Sequence, residues 1–131
     1  MRARVLISAV AFLLSLSLPS EGEGHAVIKE SSPQAGEILT VSPSRLIIRF
    51  NSRIVHSLSR VTLLGPDRRV VPTSTTATEA QPPAPDRLEV VLPSLSPGVY
   101  VVQWQALSVD GHITAGRFSF TIQPQGSDGI R

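Results

Sequence analysis

The run Val99-Tyr100-Val101-Val102-Gln103-Trp104-Gln105-Ala106-Leu107 decides the fold. Its side chains alternate, so Tyr100, Val102, Trp104 and Ala106 share one face, and a period of two is the signature of a half-buried strand. Shorter runs of the same kind lie on both sides. Upstream are Val61–Leu64, ended by Gly65-Pro66-Asp67, and Arg45–Phe50, which turns Leu46, Ile48 and Phe50 inward. Arg87–Leu92 turns Leu88, Val90 and Leu92 inward, and downstream Phe118, Phe120 and Ile122 form the inward set of a last strand. Ala26–Ser31 reads as an opening strand. Proline and glycine reverse the chain at Ser32-Pro33-Gln34-Ala35-Gly36 and at Leu95-Ser96-Pro97-Gly98. Thr73–Pro85, rich in Thr, Ala and Pro, reads as a long surface loop. About seven short strands of this kind predict an all-β fold, a small Greek-key β-barrel or sandwich with an Ig-like arrangement. Trp104 is then a core residue, and a carbohydrate-stacking role for it is the less economical reading.

The N-terminal segment has a different composition. Arg2 and Arg4 precede the apolar run Val5–Leu18, which is 14 residues long and too short for an ordinary transmembrane helix. Pro19 and Ser20 break the helix, and Gly22 and Gly24 supply the small residues of a cleavage site. We read residues 1–24 as a secretory signal, residues 25–123 as one β domain and residues 124–131 as a flexible tail. The expected location is periplasmic or secreted, and the expected product is soluble.

Cleavage after Gly24 leaves 107 residues, enough for one small domain. Loss of Arg2, Arg4, Glu21 and Glu23 with the leader keeps the net charge at +2. The arginines are scattered, which argues against a nucleic-acid surface. The chain has no cysteine, so an exported domain of this length must hold together through its core alone.

The three histidines carry the chemistry. Placed first in the processed chain, His25 offers an α-amine and an imidazole nitrogen on one residue. Asp110-Gly111-His112 places a carboxylate and a second imidazole one residue apart, on the same side if the segment is extended. Three nitrogens and one oxygen suit copper(II), which favours imidazole, amine and carboxylate donors in a tetragonal array. Each part alone is weak: Asp-Gly-His is often only a turn, and a single histidine is more often solvated than ligating. An edge strand carrying His25 beside the strand that ends near Asp110 would bring them together. His56, in Arg53-Ile54-Val55-His56-Ser57-Leu58, reads as a partly exposed loop residue before it reads as an auxiliary ligand.

The chain resembles the CopC-like periplasmic copper-binding proteins. The resemblance rests on His25-Ala26, the Ser32-Pro33-x-x-Gly36 turn, Leu46–Phe50, and Leu95-Ser96-Pro97-Gly98-x-Tyr100. It rests further on Trp104-Gln105-Ala106-Leu107-Ser108-Val109-Asp110-Gly111-His112, followed by Gly116 and Phe120. It extends over residues 25–123 and implies a Greek-key β fold with one Cu(2+) ion per chain held by His25, Asp110 and His112. It implies a copper-homeostasis or resistance role, with copper sequestered or passed to an inner-membrane copper importer of the CopD type, by a monomer. Two features depart from the family pattern. The only methionine is Met1, so the soft thioether site that some relatives use for copper(I) is absent. Phe50 is followed by Asn51-Ser52-Arg53, where many relatives have a carboxylate able to orient a ligand histidine.

Two other function classes fit parts of the sequence. A copper-dependent oxidative enzyme could use a terminal histidine as a brace, but it needs a broad substrate surface, and this chain has six aromatic residues, Phe12 of the leader among them. In an adhesion or assembly sandwich, Asp110-Gly111-His112 would be only a turn. The expected protein is not an enzyme: no nucleophile is paired with a base, and no phosphate loop or zinc-helix motif is present.

Overall fold

The computed structural model describes residues 26–75, 77–78 and 80–125. The proposed leader and cleavage site, His25 and most of the proposed tail lie outside the described residues. Among the described residues eight strands follow one another: β1 Ile28–Ser32, β2 Ile38–Leu39, β3 Arg45–Phe50, β4 Arg60–Leu64, β5 Val70–Val71, β6 Arg87–Val91, β7 Gly98–Leu107 and β8 Ile113–Ile122. A 3-10 turn, His56–Leu58, lies between β3 and β4. The strands form two sheets, β1-β3-β6 and β2-β8-β7-β4-β5. The fold is therefore an open sandwich and not a closed barrel. Among the described residues no helix is long and apolar enough to cross a membrane.

Alternation builds the core. Leu46, Ile48 and Phe50 of the three-stranded sheet face Leu63, Val102 and Phe120 of the five-stranded one, and all six are under 2 % exposed. Burying side chains of this size stabilises the fold by about 1.5–3 kcal/mol each. Phe50 and Trp104 join the sheets across a ring-centroid distance of 5.4 Å, which places Trp104 against the core as its spacing predicts. Tyr100 stacks on Phe120 at 5.5 Å.

β7 is the spine. It pairs with β4 on one side and with β8 along its whole length on the other, from Gly98↔Ile122 to Leu107↔Ile113. At its start, Tyr100 is 2 % exposed, and its hydroxyl donates to the Ser96 carbonyl at 2.6 Å. That bond is the tyrosine corner of sandwich folds, and it accounts for the Ser96-Pro97-Gly98-x-Tyr100 motif. Gly98 sits at φ 147°, and a Cβ there would come within 2.4 Å of Pro66.

β8 is longer than its apolar set suggests. It begins at Ile113, because full pairing with β7 carries the strand through polar and small residues. β2 and β5, two residues each, have too short a pattern to read in sequence. Within 73–85 the bridge Ser74↔Val91 is the one strand-like pairing among the described residues, in keeping with a loop.

Candidate metal centre

At its far end β7 runs into the turn that carries Asp110 and His112. The turn is closed by backbone bonds from Gly111 N–H to the Ser108 carbonyl and from Ser108 N–H to the His112 carbonyl, each 2.9 Å. Gly111 takes φ 95°, a left-handed conformation that is costly for any residue with a Cβ. The one-residue spacing suggested an extended segment, and the structure corrects this. The chain reverses from Ser108 to His112 around Val109 and Asp110, and within that reversal the Asp110 and His112 side chains meet. Asp110 Oδ2 stands 3.1 Å from His112 Nδ1.

Ser108 supports this pair from beneath. It is 1 % exposed, and its hydroxyl donates to Asp110 Oδ1. The His112 backbone N–H donates to the same oxygen at 3.3 Å. These bonds favour the ionised carboxylate, so Asp110 is held below the usual carboxylate range: the Ser108 hydroxyl is the main cause, partial burial opposes it, and His112 adds to it. A carboxylate oxygen and an imidazole nitrogen thus share one side of an exposed turn.

The N-terminal strand reaches the same end of the sandwich by a route different from the expected one. β1 is an edge strand, but it pairs with β3 in the other sheet and does not hydrogen-bond to β7 or β8. Contact across the sheets is made by Thr114, two residues beyond His112. Its hydroxyl donates to the Ala26 carbonyl at 2.7 Å. Ala26 itself is buried, 1 % exposed. Asn51 holds the next residue on the opposite side: its Oδ1 accepts from Val27 N–H, and its own N–H donates to the Val27 carbonyl, both at 2.9 Å. Asn51 thus fixes this backbone with both its side-chain amide and its main-chain N–H.

His56 is directed elsewhere. Its Nε2 lies 2.9 Å from the Arg87 carbonyl, tying the 3-10 turn to β6. Among the described residues no group of three or more His, Asp or Glu side chains is gathered for a metal. Asp110 and His112 form a pair. Ser108, Asn51 and Thr114 were not singled out by sequence for these contacts. The Ser108–Asp110 spacing was the only local signal, since Ser and Asp often bond across a tight turn.

A family model described as the CopC domain matches residues 28–123. Protein YobA of Escherichia coli K12 is 28% identical over 124 residues, covering 92% of this chain and 97% of that protein. The crystal structure of CopC from Methylosinus trichosporium OB3b superposes with a TM-score of 0.67 at 28% identity, over 77% of this chain and 96% of that one. PcoC from Escherichia coli, a methionine-rich copper resistance protein, has the same fold, with a TM-score of 0.63 at 23% identity over 76% of this chain and 99% of that one.

Proposed function

The chain belongs to the CopC family, and we propose that it binds one copper(II) ion through His25, Asp110 and His112 after export and removal of residues 1–24. Family membership makes it a copper-resistance-type protein and not an enzyme, which sets aside the oxidative and adhesion readings.

The observation that carries it is the meeting of two segments at one end of the sandwich. Oδ2 of Asp110 and Nδ1 of His112 are 3.1 Å apart. Two donors at right angles around a divalent first-row ion, each about 2.0–2.2 Å from it, stand roughly 3 Å apart. The pair is therefore already at chelating distance. Thr114 binds the carbonyl of the residue that follows His25, which supports delivery of the terminal amine and imidazole to the same place. That donor set is nitrogen-rich and free of sulfur. With Met1 as its only methionine, the chain lacks the thioethers that copper(I) prefers, unlike the methionine-rich PcoC.

The role that follows is to hold copper(II) in the periplasm and surrender it to a membrane importer. No catalytic step is involved. Titration of protein beginning at His25, followed by electron paramagnetic resonance, should give one copper(II) per chain with nitrogen-rich tetragonal parameters. The absence of one-to-one binding, or binding unchanged in a His25→Ala plus His112→Ala variant, would refute the assignment.

A further inference from the structure

Both sheets carry arginines on the face turned away from the core, in two different states. On the three-stranded sheet they are neutralised. Arg45 Nη1 lies 2.7 Å from Glu89 Oε1, while Arg49 lies 3.1 Å from Glu30 and 3.2 Å from Asp86. On the five-stranded sheet Arg60 of β4 and Arg117 of β8 flank the central strand β7, and among the described residues neither makes an ion pair. Registers Arg60↔Gln105↔Ala115 and Thr62↔Gln103↔Arg117 put them two strands apart and staggered by two residues. Their Cα atoms are then roughly 12 Å apart, from sheet spacings of about 4.8 Å between strands and 3.4 Å along them.

Both arginines line one cavity of about 540 Å³, together with Thr62, Gln103, Gln105 and Ala115 and with Trp104 of β7 and Gly116 of β8. No carboxylate lines it. Two guanidinium groups, two amides and a hydroxyl make it rich in donors, and Ala115 leaves the floor low. Arginine binds carboxylates through two parallel N–H···O bonds, which are stronger than neutral hydrogen bonds. We propose that this groove binds an extended acidic segment of a partner protein, with separate carboxylates taken by Arg60 and Arg117. In an extended chain, acidic side chains two or four residues apart are about 7 or 14 Å from one another, a span that brackets the arginine separation. Gln103 and Gln105 can meet the backbone of such a segment. The site lies on the sheet face and not at the turn carrying Asp110 and His112, so it stands independently of the copper proposal.

The test uses a fluorescein-labelled twelve-residue peptide alternating Asp and Ser, with its Asn counterpart as control, titrated by anisotropy against the processed protein. We expect saturable binding of the Asp peptide that weakens with added salt, and none of the Asn peptide. Arg60→Gln plus Arg117→Gln should weaken binding by at least about tenfold, the loss expected for two charge-assisted contacts. Arg45→Gln on the neutralised face should change it less than about twofold. Circular dichroism would establish that both variants are folded. The proposal fails if the Asp peptide does not bind at about 1 mM, the weak limit of useful affinity. It fails equally if the double variant binds like the parent, or if Arg45→Gln costs as much. Citrate binding as tightly as the peptide would show a small-anion site in place of a partner surface and overturn the assignment.

Discussion

The two ends of β7 use one device for opposite purposes. At Gly98–Tyr100 a side-chain hydroxyl binds backbone four residues upstream, inside a core where Tyr100 is 2 % exposed. At Ser108–His112 a hydroxyl again secures a turn, but it does so by fixing a carboxylate that faces solvent beside an imidazole. The first bond consumes its polar groups in the fold. The second leaves a charged oxygen and a ring nitrogen on the surface, held in place by a buried serine. One end should therefore answer to mutation in stability and the other in metal affinity.

The largest expected effect is at the turn. His112→Ala should lower copper(II) affinity by at least about a hundredfold, more than is typical for loss of a supporting residue, while thermal unfolding stays within about 2 °C, as for other exposed substitutions. Isothermal titration with a competing chelator and a melting curve would measure both. A large fall in melting temperature with unchanged affinity would reverse the assignment of the two ends.

Acidification gives the next effect. A carboxylate whose folded pKa is depressed contributes its stabilisation above the ordinary value and loses it only as pH falls through the depressed one. Asp110, held low by Ser108, therefore remains ionised at about pH 5, whereas histidine binds metal only as neutral imidazole. Copper affinity should be lower at about pH 5 than at about pH 7, because protons compete with the metal for nitrogen donors. Asp110→Asn should weaken binding at both values without changing their ratio, and an altered ratio would assign the titration to Asp110.

Thr114→Val keeps the shape of the side chain and removes its bond to the Ala26 carbonyl. It should reduce copper affinity by about tenfold, with a stability loss of about 1 kcal/mol. Unchanged affinity would show that the terminus finds the turn without this tether. Tyr100→Phe gives the smallest change, about 1 kcal/mol of stability with copper binding untouched, read by urea denaturation and the same titration. It marks the opposite limit of the comparison.

Sequence displayed the end of β7 that serves the fold better than the end proposed to serve copper. Alternation in Val99–Leu107 and in Leu46, Ile48 and Phe50 reports burial directly, because period two and a shared apolar face are one physical fact. Asp110 and His112 stood out by their chemistry, but their geometry did not. An extended reading and a turn share the same residues, and the φ of Gly111 decides between them. Thr114 and Asn51 were silent for another reason. Thr114 meets Ala26 across 88 positions of sequence, and a threonine in a strand has no local mark of a partner on the other sheet. The strand order that carries β1 into the opposite sheet is likewise a result of packing and not of local pattern.

The central claim is that the free amine of His25 completes a site begun by Asp110 and His112. Comparing protein that starts at His25 with the same chain acetylated at its α-amine tests this most directly, by copper(II) titration and electron paramagnetic resonance. The account predicts one tightly bound ion in the first form. In the second, affinity should fall by at least about a hundredfold, with a nitrogen donor lost from the spectrum. Equal affinity and an identical spectrum in the two forms would contradict it.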